Sequence, residues 1–219
     1  MRKDFLVNDQ VYHICTKSIA GYKIFNNDEE YVRMIDLIRY YQIKNDLSLS
    51  AFMRSRLVGQ FGFDNALFTI SKDREKLVHI IAYCIMPTHI HLVLKQLKEN
   101  GVSKYVADIL NGYTRYFNTK HCRKGPLWEG RFKNVLVESD EQLLHLTRYQ
   151  HLNPVTAGLV KEPEDWSFSS YDEYLGKDVI SFCDFNSLMD IQPKQYQKFV
   201  SSRINDQKDL AIIKKHLFV

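Results

Sequence analysis

The chain has 219 residues, which is enough for one domain or one domain with additions. Its hydrophobic content of 45% is that of a globular protein, and no low-complexity tract favours disorder. The net charge of +4 is too small to identify a nucleic-acid partner by itself. No stretch approaches the roughly 20 apolar residues that a membrane-spanning helix needs, and the first residues do not resemble a signal peptide.

The four cysteines, Cys15, Cys84, Cys122 and Cys183, form no close pair of the zinc-binding kind. Cys15 and Cys84 lie in apolar runs that are typical of strands. Free thiols in a reducing compartment are the simplest expectation, so we predict a cytoplasmic protein.

The first third of the chain begins with an extended segment over residues 11–25, with a bend near Gly21. Asn26, Asn27 and Asp28 offer a helix N-cap, and apolar residues then recur at helical spacing, which predicts a helix over residues 28–44. Residues 47–74 contain two glycines and keep no long period. We expect a looser insertion there, with a short helix near residues 50–57.

Apolar periodicity is clearer in the middle of the chain. Strands are predicted over residues 77–86, 89–96 and 132–138, and helices over residues 101–121 and 139–152. Pro87 and Thr88 join the first two strands, and residues 122–130 form a basic loop. Ser139 or Asp140 caps the later helix, and Pro154 marks its end or a kink.

The order strand, helix, strand, strand, helix, strand predicts an α+β fold. We expect a ferredoxin-like antiparallel sheet with helices on one face, followed by a C-terminal helix that carries Tyr149. Residues 1–180 are assigned to this domain, because aromatic residues after Lys161 would dock on it. Residues 181–219 form a C-terminal extension whose role the sequence does not indicate.

A candidate catalytic site comes from two pairs of polar residues. His89 and His91 are two apart on a predicted strand and therefore point to the same face, where they could bind one divalent metal ion. Tyr149 and Asn153 are four apart on a predicted helix and share a face as well. Two neutral imidazoles, an amide and a phenol could form a metal-assisted phosphoryl-transfer site with Tyr149 as the nucleophile. Mg²⁺ or Mn²⁺ would suit these ligands.

Each of these residues also has an interpretation that involves no catalysis. Two histidines at this spacing often occur by chance, Tyr149 could be a core residue, and Asn153 could be a helix C-cap. The remaining histidines of these segments are expected to pack or to lie at the surface: His13, His79, His145 and His151.

A basic segment with interleaved aromatic residues is a candidate DNA-binding surface. Glu129 is the one acidic residue of this segment, residues 115–133, and Trp128 is among its aromatic residues. Its six basic residues are Arg115, Lys120, Arg123, Lys124, Arg131 and Lys133. Cations hold phosphates, and aromatic faces stack on unpaired bases. The alternative is a solvated loop whose aromatic side chains turn into the core.

Four motifs together resemble a known family. Residues 82–92 (AYCIMPTHIHL) resemble the metal-binding motif of the single-tyrosine HUH transposases. Residues 125–133 (GPLWEGRFK), 148–160 (RYQHLNPVTAGLV) and 165–171 (DWSFSSY) follow in the order found in the REP-associated tyrosine transposases. The resemblance spans roughly residues 8–176, and residues 47–74 look longer than the usual connection between the first helix and the second strand.

The resemblance implies a ferredoxin-like domain that cuts single-stranded DNA near a hairpin. It implies that Tyr149 forms a 5′-phosphotyrosine and leaves a free 3′-hydroxyl. His89 and His91 match the two metal ligands, and Asn153 stands where the family has a polar third ligand. A monomer, or a homodimer that shares its tyrosine helices, would be compatible with it.

Two other functions remain open from the sequence. The first is a non-catalytic regulator that kept the fold and binds structured nucleic acid without cutting it. The second is a metal hydrolase that uses water on small phosphate compounds, which would need neither the tyrosine nor the basic aromatic loop.

Overall fold

The computed structural model describes residues 5–177 and 181–204. Within them, four antiparallel strands form one sheet in the order β2-β3-β1-β4. The strands are β1 Val11–Lys17, β2 Val78–Met86, β3 His89–Gln96 and β4 Lys133–Val137. This is the strand order of a ferredoxin-like sheet, and the predicted α+β class is confirmed.

The main helices are α1 Asp28–Tyr40, α2 Leu49–Met53, α3 Arg56–Ser71, α4 Gly101–Lys120, α5 Asp140–Thr156, α6 Tyr171–Tyr174 and α7 Pro193–Ser201. Helices α1 and α4 pack on each other, and α4 contacts β2 and β3, whereas α5 contacts β2 and β4. The Tyr113 hydroxyl of α4 donates to the Ile24 carbonyl at 2.6 Å, which joins this helix to the segment after β1.

The two faces of the sheet differ in composition. Tyr12 and Ile14 of β1, with Ile90 and Leu92 of β3, are buried in the apolar core. Because side chains alternate along a strand, His13 and Cys15 of β1 lie on the other face, together with His89 and His91 of β3. The register pairs Cys15 with His91 and Lys17 with His89, so the polar side chains gather on adjacent strands.

The expectation of a loose structure over residues 47–74 is wrong. Most of this segment is helical, and each of its two helices has a serine N-cap: the Ser48 side chain accepts from Ala51 N, and that of Ser55 accepts from Val58 N. Gly62 interrupts α3 with a φ of 76°. This break hid the helical period in the sequence, because the apolar positions change phase there.

Two predicted helix ends also need correction. Helix α1 stops at Tyr40 rather than at Lys44, because the chain turns to pair with the segment before β2, where Lys44 N donates to the Glu75 carbonyl at 2.9 Å. Helix α5 continues through Pro154 to Thr156. A proline removes one donor from a helix, and here the buried side chains of Leu152 and Val155 hold the turn in place.

The chain after α5 returns to the outer edge of β2. Ile85 N donates to the Phe168 carbonyl at 2.9 Å, and Ser170 N donates to the Tyr83 carbonyl at 3.0 Å. Farther along, Asp184 N donates to the Ile80 carbonyl at 2.7 Å. The described part of the C-terminal extension therefore packs against the sheet, while residues 205–219 lie outside the described part of the chain.

Within the described ranges, no helix is long and apolar enough to cross a membrane. Cys15, Cys84, Cys122 and Cys183 are not joined by disulfide bonds within the described residues.

Candidate active site

The two predicted metal ligands lie side by side at the start of β3. The ring centroids of His89 and His91 are 5.0 Å apart, with an interplanar angle of 81°. Thr88 Oγ1 lies 3.0 Å from His89 Nδ1, and His13 Nε2 lies 3.0 Å from His91 Nδ1. Both contacts engage Nδ1, which makes Nε2 the ring nitrogen of each histidine that could face a metal ion.

Both histidines are neutral at pH 7. Burial lowers the pKa of His89 to about 4 and that of His91 to about 3, and the charge of Lys17 contributes to both shifts. A metal ion binds the neutral imidazole, so these rings need not lose a proton first.

Tyr149 reaches the histidines from α5. The N-terminus of this helix is fixed by Ser139, whose side chain accepts from Gln142 N at 3.1 Å. The ring centroid of Tyr149 lies 6.2 Å from that of His91, and the two planes are nearly perpendicular. The side chain is 45% exposed, so a substrate can reach it from solvent. Burial of the rest of the ring raises the pKa of the Tyr149 phenol, which is therefore protonated at neutral pH.

Asn153 follows Tyr149 by one helical turn. Its side chain is 8% exposed, and its buried Nδ2 atom has no hydrogen-bond partner within residues 5–177 and 181–204. The atom of this amide that could bind a hard cation is its oxygen, Oδ1. The neighbouring Gln150 is fully buried, and neither of its side-chain polar atoms has a partner in the described part of the chain, a feature that the sequence did not reveal.

Two further polar residues of the site, His13 and Lys17, were not predicted. The rings of His13 and His91 meet edge to edge through their nitrogens, with centroids 5.3 Å apart, and burial lowers the pKa of His13 to about 4. Lys17 is exposed and pairs in register with His89. Neither role could be read from the sequence, because both depend on how β1 is aligned with β3.

The described residues contain no cluster of three or more histidine, cysteine, aspartate or glutamate side chains that could hold a metal ion. The predicted ligands His89, His91 and Asn153 would offer a metal ion two imidazoles and an amide.

Helix α5 is anchored below the site by a buried hydrogen-bonded histidine. His151 is fully buried; its Nδ1 lies 2.6 Å from the Tyr196 hydroxyl of α7, and its Nε2 lies 2.8 Å from Ser170 Oγ. Ser170 Oγ also accepts from Tyr83 N of β2 at 3.0 Å. These contacts tie the helix that carries Tyr149 to both the sheet and the C-terminal helix. The predicted packing role of His151 agrees with this arrangement.

The predicted DNA-binding residues fall into two places. Arg115 and Lys120 line a cavity of about 410 Å³ between α1, α2 and α4, together with Arg33. Lys120 Nζ lies 2.8 Å from Glu29 Oε2 and 3.4 Å from Glu30 Oε1, so its charge is partly neutralised.

The others lie on the loop after α4 and at the start of β4. Lys124, Arg131 and Lys133 are exposed. Arg123 donates to Asn118 Oδ1 at 2.9 Å and to the Pro126 carbonyl at 2.7 Å. Trp128 is half-buried, and its indole N–H donates to the Leu110 carbonyl and to Thr114 Oγ1. These contacts anchor the Trp128 ring in the fold, and its assignment to DNA binding stays a prediction.

Comparison with known proteins shows that the same region is similar to a transposase family. Residues 64–151 match the family model of the IS200-like transposases. A protein of Haemophilus influenzae assigned to the REP-associated tyrosine transposases is 32% identical over 102 residues, which cover 42% of this chain and 57% of that protein. The REP-associated tyrosine transposase of Escherichia coli K12 is 26% identical over 109 residues, or 49% of this chain and 61% of the relative. The chain thus matches about three fifths of the length of these curated relatives.

A solved structure gives the same result for the fold. A REP-associated tyrosine transposase bound to a REP hairpin superposes with a TM-score of 0.55 and 16% identity, over 87% of this chain and 98% of that one. At this identity the likeness supports the fold alone. Family model, relatives and fold together confirm the resemblance of this chain to the REP-associated tyrosine transposases.

Proposed function

We propose that this protein is a metal-dependent transposase that cuts and transfers single-stranded DNA through a covalent phosphotyrosine. The observation that carries the proposal is the position of Tyr149, 6.2 Å from the ring of His91 and half exposed to solvent, on the same face of the sheet as the histidine pair. A tyrosine that only packed in the core would have no reason to be accessible beside two neutral imidazoles.

In the proposed reaction, the Tyr149 oxygen attacks the phosphorus of a DNA phosphodiester. The new bond joins Tyr149 to a 5′-phosphate, the bond from phosphorus to the 3′ oxygen breaks, and that oxygen leaves as a 3′-hydroxyl after taking a proton. The phenol must lose its own proton, and its raised pKa makes this step unfavourable without nearby positive charge. Lys17 places a positive charge beside His89 and His91.

His89, His91 and Asn153 are the residues that would hold the divalent ion, and Mg²⁺ or Mn²⁺ fits their chemistry. When bound, the ion would act as a Lewis acid on the non-bridging oxygens of the phosphate. The hydrogen bond between His13 and His91 would hold the ligand ring in the required orientation.

The proposed substrate is single-stranded DNA at or near a hairpin. The solved structure with the same fold belongs to a protein bound to a REP hairpin, which supports a hairpin partner here. We propose that Arg115, Lys120, Arg123, Lys124, Arg131 and Lys133 contact its phosphates, with Trp128 as a further contact. Because one chain holds both the histidines and Tyr149, a monomer would suffice, although a homodimer is compatible with the same site. The free thiols fit a cytoplasmic location.

The test is a covalent adduct between the protein and a labelled DNA hairpin with single-stranded flanks, formed in the presence of Mn²⁺. We expect an adduct that resists denaturation, maps to Tyr149 by mass spectrometry and disappears in Tyr149→Phe. Replacement of both His89 and His91 by alanine should also abolish it. His79→Ala is the matched control, because His79 lies on the neighbouring strand and pairs instead with Asp184.

An adduct that persists in Tyr149→Phe would reject this nucleophile. Tight, salt-sensitive binding of the hairpin with no cutting under any metal condition would favour the non-catalytic regulator.

A further inference from the structure

A cavity of about 490 Å³ lies between the segment that follows β1 and the loop that follows α4. Its lining residues are Ile19, Ala20, Tyr22, Lys23, Asn26, Phe117, His121, Arg123 and Leu127. This volume is within the range of pockets that hold small organic groups.

The walls of the cavity are apolar, and one aromatic ring stands at its edge. Phe117 and Leu127 are buried in the core and form part of the inner wall. Tyr22 is 70% exposed, which is unusual for a tyrosine, and makes no hydrogen bond through its hydroxyl within the described ranges. An exposed aromatic ring beside an apolar recess is the arrangement that stacks a flat, unpaired ring.

The same edge carries positive charge. Lys23 has no ion pair within residues 5–177 and 181–204, and the hydrogen bonds of Arg123 go to neutral groups, the Asn118 amide and the Pro126 carbonyl. Glu30 is the acidic group that faces this side, and it is matched by His121 at 2.7 Å and Lys120 at 3.4 Å. The charges of Lys23 and Arg123 are therefore left for an anion.

The cavity adjoins the candidate catalytic centre through the backbone. Ser18 N donates to the Thr88 carbonyl at 2.9 Å, and Ile24 N donates to the Pro87 carbonyl at 2.9 Å. The segment that carries Tyr22 and Lys23 is thus bound to the turn that immediately precedes His89. On the other wall, the Leu127 carbonyl accepts from Ile19 N at 3.0 Å, which ties the basic loop to the same place.

We propose that this cavity binds one unpaired nucleobase of the DNA strand that leads from the scissile phosphate. The base stacks on Tyr22 against the apolar wall, and Lys23 and Arg123 contact the phosphates on either side of it. The inference rests on the proposed function for its substrate class, but it assigns to residues 19–23 a role that neither the sequence motifs nor the catalytic site includes.

The experiment measures base stacking without depending on cutting. The probe is a twelve-nucleotide thymidine strand with one central 2-aminopurine, and every protein carries Tyr149→Phe so that no adduct forms. Anisotropy of an end label reports binding, and quenching of 2-aminopurine reports stacking. We expect Tyr22→Ala to lower the affinity about 5- to 100-fold and to remove the quenching at saturation, whereas Tyr22→Phe retains both.

Phe68→Ala is the matched control, because Phe68 is an equally exposed aromatic residue, on α3 and outside this cavity. It should change neither signal. Binding and quenching of Tyr22→Ala at the parent level would overturn the proposal, as would a parent protein that does not quench the probe at all.

The adduct assay with Tyr149 intact separates this inference from the proposed function. Quenching that depends on Tyr22, without any adduct, would leave the base pocket in place and reject the nuclease. An adduct whose yield and DNA affinity are unaffected by Tyr22→Ala would retain the nuclease and reject the pocket.

Discussion

His13 Nε2 and His91 Nδ1 are 3.0 Å apart, and the planes of the two rings differ by 16°. One of these nitrogens must donate to the other, so the contact fixes which nitrogen of His91 faces away from β1. His13 is therefore a positioning residue, since it acts through His91 rather than on the metal ion or the DNA.

His13→Phe should weaken metal binding while preserving the fold, because phenylalanine keeps the ring but not its nitrogen. Loss of a partner that orients a metal ligand lowers metal affinity about 10- to 100-fold. Titration of Mn²⁺ followed by calorimetry measures this without any DNA. His79→Phe is the control, since His79 lies on β2 and pairs with Asp184. An Mn²⁺ affinity equal to that of the wild type in His13→Phe would show that His91 is oriented by other contacts.

Tyr196→Phe should destabilise the protein, because it removes the hydroxyl that lies 2.6 Å from His151 Nδ1 and leaves a buried polar atom without that partner. The expected cost is about 1–3 kcal/mol in the free energy of unfolding. Urea denaturation measures it, with Tyr22→Phe as the control because the Tyr22 side chain is 70% exposed. Equal stabilities of the two variants would contradict the anchoring role of His151.

Gly101→Ala and Gly59→Ala should change stability in opposite directions. A β-carbon at Gly101 would collide with the carbonyl oxygen of Leu77, whereas one at Gly59 meets no atom within 4 Å. Backbone cannot move aside cheaply, so Gly101→Ala should cost at least about 1–3 kcal/mol. Gly59 lies inside α3, where alanine is favoured by roughly 0.5–1 kcal/mol. Thermal unfolding of both variants measures these changes in stability. A Gly101→Ala variant as stable as the wild type would show that the start of α4 can shift away from Leu77.

Asp36→Asn should stabilise the protein at neutral pH. Burial raises the pKa of the Asp36 carboxyl to about 6, against 3.8 when it is free. Between these values the folded state holds a proton that the unfolded state has lost, so this group makes the wild type less stable as the pH rises. The variant lacks that penalty and should be more stable by roughly 1–3 kcal/mol at pH 7, with the difference vanishing below about pH 4. Urea denaturation across pH 3.5–7.5 measures the difference in the free energy of unfolding. A difference that does not change with pH would exclude the raised pKa of Asp36 as its cause.

The sequence was informative where the signal was local. Strand β3 begins and ends where its pattern predicted, at His89 and Gln96, because alternation and the preceding proline are features of neighbouring residues. The spacing of His89 and His91, and of Tyr149 and Asn153, likewise requires only the geometry of one strand and one helix.

What the sequence could not show depended on distant contacts. The role of His13 follows from the alignment of two strands 78 residues apart in the chain. The contact of Tyr196 with His151 joins two helices 45 residues apart, and no periodic pattern reports such a pair. The helices of residues 47–74 were missed for a different reason, since Gly62 shifts the apolar phase within α3.

Residues 168–170 cover the edge of β2, and this determines where the chain can be shortened to a stable fragment. Strand β2 is nine residues long and almost wholly apolar, and such an edge readily recruits strands from other molecules when it is left open. The family-matched region ends at residue 151, before the segment that occupies this edge. A fragment cut at that boundary would keep the histidines and Tyr149 but would expose β2 and self-associate, so the smallest unit that stays monodisperse must extend past Ser170.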